Sequence, residues 1–315
     1  MLGAAALSVA KEPAWAQQYP VRDVHLICAF PPGSGADLAV RWYAQRLRPL
    51  MGRTIIVENK IGALGDVATE YTARADADGY TIYVHSPSGL AANMHLFKKP
   101  PVDIAKELVV AGTINLQPTV LVVRTNAPWD TLERLNSYAR ENAERVTYGV
   151  NQPMAKLVGA IHKHYGELKA VEVNYRSAPD ALNDLLSGTI DYGFFDSAFS
   201  YAQQRAGKLR MLAISMPERV KAIPDVPTMA EFGIPMKIIG SFGALVRSAT
   251  PRSIIQDIFV GMFDKITRTD EARDFMQSIA SDPWIATQED AQSFLLDSIN
   301  TLGRYIDIAK IEKQG

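Results

Sequence analysis

The sequence predicts an α/β protein of two domains with a ligand cleft between them. Three observations support this. Short apolar runs of strand length alternate with helix-period segments along the chain, the signature of a parallel or mixed sheet covered by helices. The length, 315 residues, is enough for two separate cores. One plan also occurs twice. Leu121-Val122-Val123-Arg124-Thr125-Asn126-Ala127-Pro128 is an apolar strand running into Pro and a new helix, and Ala244-Leu245-Val246-Arg247-Ser248-Ala249-Thr250-Pro251 repeats it. Read as two crossings between domains, the repeat assigns residues 19–124 and 244–315 to a first domain and 125–243 to a second. Ligands of such proteins bind between the domains, at strand C-termini.

The continuous apolar run at 24–29 reads as a buried strand. After it, a helix at 38–50 places Leu38, Trp42, Gln45, Leu47 and Leu50 around a mostly buried face. Strands at 54–58 and 80–85 flank a helix at 67–75, and Ser86-Pro87-Ser88-Gly89 is a loop before a short helix at 91–97. A strand at 119–124 leads to a helix at 131–142. The pattern then restarts with a strand at 147–150 and a helix opened by Asn151-Gln152-Pro153, with Pro in its first turn. A strand at 170–173 precedes a helix at 180–186 that Gly188 stops. A strand at 190–195 ends in Asp196, a helix at 198–205 stops at Gly207, and a strand follows at 210–215. Pro224-Asp225-Val226-Pro227-Thr228 is a rigid loop before a short helix, and helices at 254–267, 271–279 and 289–308 are expected to pack back on the first domain. Cys28, the sole cysteine, reads as a core residue of the first strand and excludes a disulfide within the chain.

The most informative segment is Phe30-Pro31-Pro32-Gly33-Ser34-Gly35-Ala36-Asp37, between a strand and a helix. The first N–H groups of a helix have no intrahelical partner, and the helix dipole adds partial positive charge there. Gly33 and Gly35 let the backbone approach a guest closely. Such a bend holds a carboxylate, phosphate or sulfonate without a lysine. It is not a P-loop, because it ends Gly35-Ala36-Asp37 rather than Gly-Lys-Ser/Thr, and it lacks the third glycine of a dinucleotide fingerprint, where Leu38 stands. Ser34, Ser86, Ser88, Asn151 and Ser177 recur after strand C-termini as groups that bind a carboxylate or an ordered water, or cap their own helices.

Other classes are disfavoured. Lys and Arg total 33 against 34 Asp and Glu, so nothing points to nucleic acid or an anionic membrane. No apolar run reaches the roughly 20 residues that span a bilayer. His162 and His164 are two apart and cannot share a helix face, no Cys–His cluster offers a zinc site, and His85 reads as a strand-end histidine. No G-x-S-x-G elbow occurs. The enzyme alternative is a soluble α/β protein acting on a carboxylate through Asp37 or Asp196. The N-terminus is distinct: a small apolar run at 2–10 and Ala14-Trp15-Ala16 before Gln17-Gln18 form a secretory signal pattern without its basic start, so residues 1–18 read as a truncated export signal.

The chain resembles the substrate-binding receptors of tripartite tricarboxylate transporters, the Bug family, over roughly residues 19–311. The resemblance is carried by Tyr19-Pro20, by the Phe30–Asp37 segment, by Val57-Glu58-Asn59-Lys60 with Gly62 and Gly65, and by Asp78-Gly79-Tyr80-Thr81. Tyr175-Arg176-Ser177-Ala178-Pro179, Leu185, Gly188, Asp191, the run 207–213 and Pro224-Asp225-Val226-Pro227-Thr228 complete it. It implies a type II periplasmic binding protein fold that closes on a small carboxylate and hands it to membrane transporter subunits. It implies a monomer with no cofactor and no nucleic acid partner. In such receptors the loop matching Phe30, Pro32, Gly33, Ser34, Gly35, Ala36 and Asp37 and the loop matching Asn151, Gln152, Met154, Ala155 and Lys156 grip one carboxylate, partly through two ordered waters. The rest of the pocket, here Ser86, Ser88, Tyr175, Ser177 and Asp196, varies with ligand. The sequence departs from the family at 151–156, where a Gly/Ser-rich loop is usual. Lys156 either points away from the cleft as a solvated lysine or reaches into it and offsets that loss by pairing with the ligand.

Export is expected to cleave the chain after Ala16. N-terminal sequencing of protein exported behind a restored basic start should begin at Gln17, and retention of Met1 would contradict it.

Overall fold

The computed structural model describes residues 19–143 and 145–313; the export segment and its cleavage site lie outside the described residues. The strands are β1 (Val24–Cys28), β2 (Ile55–Asn59), β3 (Thr81–His85), β4 (Leu108–Gln117), β5 (Thr119–Arg124), β6 (Thr147–Val150), β7 (Val171–Asn174), β8 (Tyr192–Asp196), β9 (Leu209–Ile214), β10 (Gly240–Arg247) and β11 (Asp282–Pro283). The helices are α1 (Gly35–Met51), α2 (Asp66–Arg74), α3 (Pro87–Leu96), α4 (Ile104–Glu107), α5 (Leu132–Glu141), α6 (Pro153–Tyr165), α7 (Ala178–Ser187), α8 (Ser197–Arg205), α9 (Arg252–Ile258), α10 (Lys265–Thr267), α11 (Asp270–Ser278) and α12 (Gln288–Ile308).

Two mixed sheets form, in the orders β11-β4-β10-β3-β1-β2 and β7-β6-β8-β5-β9. They share one plan. Three parallel strands, β2-β1-β3 or β7-β6-β8, are followed by one antiparallel strand, β10 or β5. The two repeated segments of the sequence are these antiparallel strands. This corrects the predicted domain boundary. β5 belongs to the second sheet, so the chain changes sheets at Pro118, not after Arg124. It returns between β9 and β10, ahead of residue 244. The repeat marks the first strand after each crossing rather than the last strand before it. A run of apolar side chains specifies a strand but not which sheet receives it.

Three local expectations also change. α1 buries Ala39, Val40, Tyr43, Ala44, Leu47 and Met51, whereas Leu38 and Leu50 are exposed. Val40, Ala44, Leu47 and Met51 recur at helical spacing and define the buried face, on which positions 38 and 50 do not lie. α3 begins at Pro87, so Ser86-Pro87-Ser88-Gly89 is a cap and first turn rather than a loop. β4 has no counterpart among the predicted strands: it is buried over most of its length, so it shows no polar alternation. One apolar core runs from Tyr83 and Leu90 beside the first sheet through Met154 and Leu157 to Tyr192 and Phe194 of the second. α3 packs against α6 there, and α12 packs against both.

Candidate functional site

Because β2-β1-β3 and β7-β6-β8 are each parallel, the loops after these strands open on one edge of each sheet. α1, α3, α6, α7 and α8 all start at those edges. The edges face each other: a Cβ built on Gly35, at the start of α1, lies 3.5 Å from Cβ of Ala198, at the start of α8. A side chain at position 35 would therefore meet the opposite wall at van der Waals distance.

The loop before α1 is held by Asp37, which is 1 % exposed. Its Oδ2 accepts the Gly33 N–H at 2.8 Å and Nε–H of Arg41 at 2.9 Å; its Oδ1 accepts Nδ2–H of Asn59 at 2.8 Å. The same Asn59 amide donates to the Phe30 carbonyl at 2.9 Å. Burial alone would push the Asp37 carboxyl up, but the Arg41, Asn59 and Gly33 donors outweigh it and hold the group below the usual carboxylate range. The hydrogen bonds of Asp37 run to the loop, to α1 and to β2, so its carboxylate shapes this loop. Gly33 turns the chain at φ +80°, a left-handed conformation that favours glycine. Phe30 stacks on His85, with ring centroids 5.0 Å apart.

The hydroxyls expected to meet a ligand are mostly caps. Ser34 Oγ accepts the Asp37 N–H, Ser86 Oγ the Gly89 N–H and Ser177 Oγ the Asp180 N–H. Asp196 caps α8 through the Phe199 N–H at 2.8 Å, and its burial raises its carboxyl pKa against those backbone donors. Ser88 is buried and accepts from the Ser241 N–H at 3.1 Å, which staples α3 to β10. Tyr175 donates its hydroxyl to Asp184 at 2.6 Å. A side chain that caps a helix satisfies a donor that would otherwise seek an anion.

α6 is different. Gln152 precedes it without a side-chain cap, and Pro153 supplies no N–H. The Met154 and Ala155 N–H groups therefore have no acceptor among the described residues, just as Gly35 and Ala36 have none at α1. The Oδ1 of Asn151, buried beside this helix start, also lacks a partner. Met154 and Ala155 are buried as whole residues and belong to the core that runs between the sheets, so these amides lie inside the closed turn. Lys156 does not stand free: its ammonium lies 3.6 Å from Glu172 of β7. That pairing gives the ammonium a partner on the neighbouring strand. Its cause is the parallel register that sets β7 beside β6, which no local pattern in the sequence encodes.

Two participants escaped the sequence reading. His85 is buried at the end of β3; burial lowers its pKa to about 4, so the ring is neutral at physiological pH. Its Nδ1 accepts the Ser86 N–H at 2.6 Å. The loop Gly62-Ala63-Leu64-Gly65 carries positive φ at all four residues and lies against His85. The glycines at 62 and 65 were its only signal.

This is the architecture of a solute-binding receptor: two sheets whose helix N-termini face one another. The model of the tripartite tricarboxylate transporter family receptor matches residues 39–311, and the chain belongs to that family. It is a receptor and not an enzyme. BugT of Bordetella pertussis is 28 % identical over 293 residues, covering 91 % of this chain and 89 % of BugT. The solved structure of R. palustris Rpa4515 with adipate superposes with a TM-score of 0.87 at 25 % identity, covering 94 % of this chain and all of that one. The periplasmic binding protein BugD shares the fold at a TM-score of 0.84 and 24 % identity, covering 94 % of this chain and 100 % of its own.

The depressed Asp37 pKa has a consequence for acid stability. A group whose folded pKa lies below its unfolded value adds stability that is complete above about pH 4 and lost as pH falls through the folded value. Asp37→Asn should cost about 1–3 kcal/mol at neutral pH, because a buried, charge-assisted set of hydrogen bonds is broken. It should also flatten the acid limb of stability measured by urea denaturation. An unaltered acid limb would show that Asp37 does not organise the loop.

Proposed function

We propose that the chain captures a small carboxylate, of the di- or aromatic class, in the periplasm and delivers it as a monomer to membrane subunits of a tripartite transporter. The observation that carries this reading is the pair of open N-termini. Gly35 and Ala36 of α1 and Met154 and Ala155 of α6 carry N–H groups without an acceptor among the described residues, at the two facing edges. The family resemblance implies that both segments form the carboxylate grip, and adipate is present in the related Rpa4515 structure. Hydrogen bonds to a charged group contribute about 1.5–3 kcal/mol each. Several of them, less the cost of association, reach the about −8 kcal/mol of a micromolar complex. Backbone dipoles supply the positive potential, so neither wall needs an uncommitted lysine. The absence of a membrane-crossing helix among the described residues is compatible with export in soluble form.

Calorimetry against a panel of mono-, di- and aromatic carboxylates should find one site per chain at micromolar affinity or tighter, with a matching rise in melting temperature. A panel without a hit would sink the reading. Gly35→Val should weaken the best ligand at least ~10-fold with the fold intact, because its γ-carbons extend past a Cβ already 3.5 Å from Ala198 and hold the walls apart. Equal affinity would place the anion elsewhere.

A further inference from the structure

We propose that Leu64 is a selectivity residue, forming an apolar wall of the ligand cleft that favours a carboxylate with a hydrocarbon body over one carrying a second charge. The inference rests on the carboxylate-receptor reading but sets aside its dicarboxylate class, keeping carboxylates with an apolar body, of which aromatic acids are one instance.

The starting observation is backbone strain without a structural return. Ala63 and Leu64 sit at φ +44° and +54°, a left-handed conformation that side chains other than glycine rarely adopt. Glycines flank them at φ +140° and +102°. A leucine in such a place usually earns its position by filling a core. Leu64 does not: it is half-buried, yet it belongs to none of the three apolar clusters, either as a buried member or as a residue packed against one.

The surroundings force the conformation on it. The Leu64 carbonyl accepts Nδ2–H of Asn93 at 3.2 Å. The next carbonyl, of Gly65, accepts the hydroxyls of Thr69 at 3.0 Å and Tyr83 at 3.1 Å. The Gly65 N–H closes the turn onto Gly62 at 2.9 Å. Gly65 itself admits no side chain, since a Cβ there would lie 2.5 Å from Nε2 of His85. Strain held in place by so many bonds is typical of ligand sites.

The location is the cleft edge. The turn follows β2, whose C-terminal end is in register with that of β1: Cys28 pairs with Asn59. Asn59 ties this strand end to the Phe30 and Asp37 loop, and the turn abuts His85, on which Phe30 stacks. The neighbouring chemistry is neutral or committed. Arg41 is held by Asp37 at 2.9 Å and Lys60 by Glu58 at 3.0 Å, while the buried His85 ring carries no charge at neutral pH. A second carboxylate placed here would lose its water and meet apolar or already satisfied groups. An aliphatic or aromatic body would bury its surface against Leu64 and the Phe30 ring.

The test uses hexanoate and adipate, which have the same number of carbons and differ by one carboxylate. Calorimetry on the mature chain should show hexanoate bound at least ~10-fold more tightly than adipate. Leu64→Asn, a residue that tolerates left-handed backbone, should reduce that ratio at least ~5-fold. Leu64→Gly should bind hexanoate more weakly without lowering the melting temperature of the ligand-free protein. An adipate preference in the wild type, or an unchanged ratio in Leu64→Asn, would overturn the proposal while leaving the receptor reading intact. So would a fall of more than about 3 °C in ligand-free Leu64→Gly, since that assigns the leucine to stability. Binding of neither acid nor of any other carboxylate would reject the receptor reading and this one together.

Discussion

The buried carboxylate of Asp37 is the constraint on which the first half of the site depends. It gathers the Gly33 N–H, the Arg41 side chain and the Asn59 amide around one nearly inaccessible group. Those donors come from the loop, from the next turn of α1 and from the neighbouring strand, so a single residue fixes all three relative to one another. Burying a charge is costly unless it is fully hydrogen-bonded, and here the donors outweigh the burial. With its own acceptors used up, Asp37 leaves the N–H groups of Gly35 and Ala36 facing outward. An acidic residue beside the proposed anion site is tolerable because its negative charge is already answered by Arg41.

The second half reaches the same end by omission. α1, α3, α7 and α8 begin with Ser34, Ser86, Ser177 and Asp196, each of which caps its own helix. α6 begins with Gln152 and Pro153 and has no side-chain cap. A helix start left without a cap normally costs stability. Under the proposed function, a guest's oxygen completes the bonding there. The pairing of Lys156 with Glu172 fits this arrangement, because a solvent-shy lysine so near the helix start needs an anion when no ligand is bound.

The shared plan of the two sheets explains how these halves come to face each other. Each sheet presents three parallel strands whose C-terminal ends open on one edge, and each is completed by the strand that arrives from the other. Two passages of chain therefore link the sheets, at Pro118 and ahead of Gly240, and the walls of the cleft are the two edges so loaded. The walls stand close enough that a Cβ at position 35 would lie 3.5 Å from Cβ of Ala198.

Much of this was legible in the sequence because it is local. The alternation of strands and helices, the stops at Gly188 and Gly207, the opening of α6 at Pro153 and the glycine bend after β1 all follow from residues close together along the chain. The family likeness was legible for the same reason. What the sequence left open is long-range. The segment 119–124 is a strand by any local measure, but its place in the second sheet is set by pairing with β8 and β9, more than sixty residues away. β4 escaped notice because burial on both faces erases the alternation that marks a strand. Asp37 and Lys156 looked like free charges until their partners, Asn59 and Glu172, arrived from other strands. Leu64 looked like any leucine until the turn around it proved left-handed. Local sequence determines which residues form an element and how it ends; only the tertiary structure decides which charges are already answered, and therefore which groups remain to meet a ligand.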